Sequence, residues 1–164
     1  LRFIGLLLLQ VLVIDNIRLG YYVHPYIYVL FIFLLPFNIP QWQLLLLGFF
    51  SGFSVDLFNG TPGLNAAATV MMAFVRPFVI NAMTRRKDIN PNDEPSLNNM
   101  GISWFIVYSV LLLAIHNVTL FMLEAFSFKL IGVVLTQTLI SVFSSLMLIF
   151  IILLLFKKSN KKLI

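Results

Sequence analysis

The chain has 164 residues, of which 60% are apolar, with a net charge of +5 and no cysteine. The absence of cysteine excludes disulfides and thiolate metal sites, and the basic residues sit at the ends of apolar runs rather than in a nucleic-acid-binding stripe. A chain of this size has no soluble core large enough to hide those runs. Residues 130–156 carry no charged side chain, whereas a bilayer about 30 Å thick is crossed by about 20 apolar helical residues.

The pattern predicts an all-α membrane protein, one domain over residues 1–164, with six transmembrane helices. The first segment runs to about Ile14. The chain opens on Leu1 rather than Met, which predicts that a few residues precede it. No small-x-small cleavage site follows the segment, so it does not read as a signal peptide. The second segment covers 22–37 and ends at Asn38-Ile39-Pro40, because proline cannot continue a helical hydrogen-bond ladder. The third covers 41–58. The turn Asn59-Gly60-Thr61-Pro62-Gly63 follows it, with Gly60 able to take the left-handed conformation that closes a helix. Thr61 is placed to cap the fourth segment, 62–83, with Pro62 at its first position. The polar stretch 84–99 is a connecting loop. The fifth segment covers 99–125. The sixth, 128–156, is long enough to tilt or protrude, and a basic tail, 157–164, ends the chain.

Lysine and arginine set the orientation. Arg2, Arg76, Arg85, Arg86, Lys87, Lys157, Lys158, Lys161 and Lys162 fall on one side of a six-span arrangement, against Arg18 and Lys129 on the other. The excess predicts both termini, the 84–99 loop and the tail in the cytoplasm. Tyr21, Tyr22 and Tyr26 mark the outer interface, and Trp42 and Trp104 the inner one.

Gly48, Gly52 and Asp56 recur at four-residue spacing and share a helical face. Gly48-x-x-x-Gly52 permits close approach of another backbone. A carboxylate at mid-bilayer costs about 3 kcal/mol on insertion scales and less near the interface. Asp56 therefore either caps the turn, holding the third and fourth helices together through the positive end of the fourth, or meets a partner helix or an ion. Asn65 and the alanines after it allow close packing. Arg76-Pro77 reads as a snorkelling arginine beside a kink. His116 and Asn117 lie in the fifth segment, where His116 suits an interhelical hydrogen bond better than a proton relay. Glu124, two turns from Asn117 on the same face, suits a surface ion pair with Lys129. Gln137, Ser141, Ser144 and Ser145 form a polar seam that should face another helix. No motif for a catalytic triad, zinc protease, phosphate loop or EF-hand is present.

The stretch Gly52-Phe53-Ser54-Val55-Asp56-Leu57-Phe58-Asn59-Gly60-Thr61-Pro62-Gly63-Leu64-Asn65-Ala66 resembles the signature of the bacterial rod shape-determining MreD family: a glycine-rich third helix ending in Asp, a turn of Gly, Ser, Thr and Pro, then a small-residue helix. The loop from Arg85-Arg86-Lys87-Asp88 to Pro95-Ser96-Leu97, and Leu123-Glu124-Ala125-Phe126-Ser127-Phe128, are similar to the Bacteroidetes branch. The resemblance implies a multi-pass subunit of the bacterial inner membrane that belongs to the rod complex, or elongasome. It implies direct association with MreC, presence in one complex with MreB, RodA and a penicillin-binding transpeptidase, a part in lateral peptidoglycan synthesis and cell shape, no enzymatic activity and no cofactor. The six-helix arrangement of that family is similar to the S-components of vitamin transporters, which makes a substrate-binding subunit the alternative. Against it, the first helix lacks the Ala-x-x-x-Ala face that S-components commonly offer their coupling subunit.

Overall fold

The computed structural model describes residues 2–14, 25–84, 93–126 and 130–155. The described residues form helices, turns and irregular segments, with no strand. Helix α1, Arg2–Leu9, widens into a π-helical turn over Gln10–Ile14. Helices α2 (Leu30–Phe33), α3 (Gln41–Asn59), α4 (Leu64–Thr84), α5 (Leu97–Met100), α6 (Ile102–Ala125) and α7 (Ile131–Leu155) follow. Of these, α4, α6 and α7 are long and apolar enough to cross a membrane.

The second apolar segment departs most from expectation. Over its described part, helix is confined to the four residues of α2, with residues 25–29 extended or turning before it and 34–40 turning after it. Pro36 explains the stop, since it clashes with a helical conformation of Leu35 and offers no amide. The segment is nonetheless the centre of the molecule: Ile27, Tyr28, Val29, Ile32 and Phe33 have no exposed surface.

Helices α3 and α4 form an antiparallel hairpin. Gly60 closes α3 with φ 66°, and its amide bonds the Asp56 carbonyl. Gly63 follows with φ 81°, so α4 starts at Leu64. Its first backbone bond runs from the Ala67 amide to the Gly63 carbonyl. Thr61 and Pro62 are thus outside the helix, and neither holds the position expected of it. The fifth segment is interrupted at Gly101 (φ 88°), which separates α5 from α6. Ser96 caps α5 by accepting the Asn99 amide.

Helix α4 packs between α3 and α6, and α6 between α4 and α7. The main core gathers residues 27–33 with Leu44, Met72, Leu112 and Ile149. A smaller cluster of Ala68, Leu120, Phe121 and Val134 fills the end near the α6–α7 connection.

Candidate functional site

The α3–α4 contact is built from the glycines. A Cβ at Gly52 would lie 2.6 Å from Ala66 Cα and 2.7 Å from Ala66 N, and one at Gly48 would lie 3.0 Å from Ala73 Cβ. The groove of α3 is therefore filled by the backbone of this chain's own α4. At its mouth, the Asp56 carboxylate is 2% exposed and has taken up both oxygens in bonds. Oδ1 accepts from the Thr61 hydroxyl, the Asn65 amide (3.1 Å) and Asn65 Nδ2 (3.0 Å), and Oδ2 accepts from the Ala66 amide at 2.8 Å. With Gly63 as the cap residue, Asn65 and Ala66 carry the second and third amides of α4. These are the donors that an N-cap side chain normally satisfies. Here the preceding helix supplies the cap, and the carboxylate also meets the positive end of the α4 dipole.

A second polar centre surrounds residues 25–29. An irregular backbone between apolar helices needs partners for its amides and carbonyls, and these come from distant side chains. Gln10 accepts the Ile27 amide (2.8 Å) and donates to the Pro25 carbonyl (3.1 Å). Ser145 of α7 accepts the Tyr26 amide at 2.8 Å. The Tyr28 hydroxyl is shared between Thr69 Oγ1 and His116 Nε2, each at 2.8 Å. Thr69 is also tied back to the Asn65 carbonyl at 2.7 Å. His116 Nδ1 lies 3.4 Å from Asn117 Oδ1. The chain of contacts thus runs from the Asp56 carboxylate through Asn65, Thr69, Tyr28 and His116 to Asn117.

The third centre is Arg76. It does not snorkel: at 1% exposure it points into the bundle. Nε donates to the Tyr108 hydroxyl at 2.8 Å, and Nη2 donates to the Leu35 carbonyl and, at 3.5 Å, to the Phe33 carbonyl. Tyr108 donates to the same Phe33 carbonyl at 3.2 Å. Arg76 and Tyr108 together close the carbonyl end of α2 that Pro36 leaves open.

The chain matches no family model, no curated protein and no solved structure.

The residues singled out in the sequence separate into groups. Gly48, Gly52, Asp56, Thr61 and Asn65 converge on one contact, with Gly60 and Gly63 shaping the turn beside it. His116 and Asn117 are fully buried one segment away. Glu124 is exposed near the end of α6, and Lys129 lies outside the described residues, as do Arg18, residues 85–92 and the tail. The polar face of α7 is Thr138, Ser141 and Ser145, all buried, with Gln137 and Ser144 half-buried. Sequence reasoning missed Gln10, Tyr28, Thr69 and Tyr108. Only Gln10 carried a signal, as the lone polar residue of the first apolar run. The others are ordinary in apolar helices, and distance along the chain hides their partners. Among the described residues, no group of three or more His, Asp or Glu side chains is placed to hold a metal ion.

Proposed function

We propose that this chain is a non-enzymatic scaffold of the bacterial inner membrane, a subunit of the rod complex that docks MreC and so joins MreB, RodA and the penicillin-binding transpeptidase. In this reading all six apolar segments cross the bilayer with both termini in the cytoplasm, the second crossing as a buried, mostly non-helical segment. One observation carries the reading. The glycine groove and its carboxylate are closed within the α3–α4 hairpin, while the outer side of that hairpin keeps an open apolar cleft of about 520 Å³. Phe49 and Phe53, stacked at 5.5 Å and 9°, form one wall, and the turn residues Thr61, Pro62 and Gly63 with Ala66, Ala67 and Val70 form the rest. Clamping by Asp56 makes the hairpin a rigid surface, and small residues beside an aromatic wall suit a transmembrane helix.

The test is site-specific photocrosslinking in cells, from Ala67 in the cleft and from Phe143 on the exposed face of α7. Adducts with MreC from Ala67 are expected. Adducts from Phe143 alone, or none at normal protein levels, overturn the reading.

A substrate-binding subunit similar to the S-components is the second reading. It is favoured by the irregular segment at the centre of the bundle, because interrupted helices mark binding sites in many transporters, and by Asn117 Nδ2, Thr138 Oγ1 and Ser141 Oγ, which are buried and bond to nothing among the described residues. A small molecule released on denaturing the purified protein, with MreC absent from the preparation, supports that reading over the first.

A further inference from the structure

A guanidinium carries five N–H donors and one positive charge. In Arg76 the Nε donor goes to a phenol and Nη2 goes to two carbonyls. Nη1 takes part in none of these bonds, and every partner is formally neutral. Among the described residues no carboxylate pairs with Arg76, and a cation at 1% exposure without a counter-charge is costly, a cost that proteins normally offset with an anion.

Tyr108, the partner of Arg76, brings a further donor. The Trp104 indole stacks on the Tyr108 ring, with centroids 4.9 Å apart and planes 19° from parallel. Its Nε1 is buried and makes no hydrogen bond among the described residues. Indole N–H is a donor only. The place along the helices is also informative. Trp104 lies two residues after Ile102, at the start of α6. Arg76 lies eight residues before Thr84, at the end of α4, about 12 Å at the helical rise. Through Tyr108, which it bonds and on which Trp104 stacks, Arg76 lies near the level at which tryptophan favours the headgroup region. Trp104 keeps 9% of its surface open.

We propose that Arg76 Nη1 and Trp104 Nε1, of two residues that both contact Tyr108, form a binding site for a phosphate-type oxyanion, presented either by an anionic lipid headgroup or as free phosphate. The anion supplies the missing negative charge and several acceptor oxygens to groups that otherwise only donate. The site lies at the opposite end of α4 from the Asp56 clamp and does not depend on the scaffold reading.

The experiment uses the whole protein in uncharged detergent. Thermal unfolding is followed with phosphatidylglycerol, phosphatidylcholine or inorganic phosphate added, and native mass spectrometry counts retained lipid. Phosphatidylglycerol is expected to raise the Tm above the phosphatidylcholine control and to remain bound. Stabilisation by phosphatidylglycerol alone assigns the site to a headgroup, and stabilisation by inorganic phosphate, with or without the lipid, assigns it to the oxyanion itself. Arg76→Gln also removes the bonds that hold residues 33–35, so Trp104→Phe, which keeps the ring stack and deletes the N–H, is the diagnostic variant. It should weaken retention of the effective ligand about 10-fold, the loss of one charge-assisted hydrogen bond. No stabilisation by either phosphatidylglycerol or inorganic phosphate overturns the proposal, and so does a Trp104→Phe protein that binds as wild type does.

Discussion

The Ala66 amide of α4 donates to the Asp56 carboxylate of α3 at 2.8 Å. This bond joins the end of one helix to the start of the next across a four-residue turn, and its position follows from the two left-handed glycines between them, Gly60 and Gly63. Replacing Asp56 with Asn turns one acceptor into a donor facing other donors. Asp56→Asn should cost about 2–4 kcal/mol, read as a lower unfolding midpoint of the purified protein in detergent. An unchanged midpoint would show that the carboxylate does not hold the hairpin.

The glycines of α3 should respond in a graded way. Gly52→Ala places a methyl 2.6 Å from the Ala66 Cα, where only backbone movement makes room. Its cost should reach about 3 kcal/mol. Gly48→Ala meets the Ala73 methyl at 3.0 Å, so about 1 kcal/mol is expected. Adding Ala73→Gly should recover part of the Gly48→Ala loss and none of the Gly52→Ala loss. A double-mutant cycle on the unfolding free energy checks this coupling.

Tyr28 and Thr138 are both buried hydroxyl-bearing residues with opposite expected behaviour. Tyr28→Phe removes a group bonded to Thr69 and His116 and should destabilise by about 1–3 kcal/mol. The Thr138 hydroxyl bonds to nothing among the described residues, and Thr138→Val keeps the side-chain shape. Thr138→Val should therefore be neutral or raise the unfolding midpoint. A clear loss for Thr138→Val would show that its hydroxyl has a partner from outside the chain, as a small-molecule site requires.

Tyr108→Phe should also destabilise, by about 1–3 kcal/mol, since it takes one acceptor from Arg76 and one donor from the Phe33 carbonyl. Its effect should be strongly non-additive with Arg76→Met, because both residues close the same end of α2. Thermal unfolding of the two single variants and the double variant measures this.

The α3–α4 hairpin was legible in the sequence because its determinants are local: four-residue spacing of Gly48, Gly52 and Asp56, then glycines flanking Thr61-Pro62. The bounds of α3, α4 and α7 lie within a few residues of the apolar runs. The second segment was misread because hydrophobicity reports burial and not backbone shape. Ile27 to Phe33 is as apolar as a spanning helix, and the break expected at Pro40 falls earlier, before Pro36. Arg76 was misread for a related reason. From the sequence, an arginine near a helix end has water within reach, and nothing local shows that Tyr108 and the carbonyls of residues 33 and 35 wait beside it.

The irregular segment has a consequence for how the molecule is made. Its backbone is tied by Gln10, which is synthesised before it, and by Arg76 and Ser145, which come 41 and 119 positions later than their partners. Until α7 leaves the ribosome, the Tyr26 amide has no serine to meet. Residues 25–35 are thus the keystone of the bundle, set last, and the growing chain must shelter them during biogenesis while the later helices arrive.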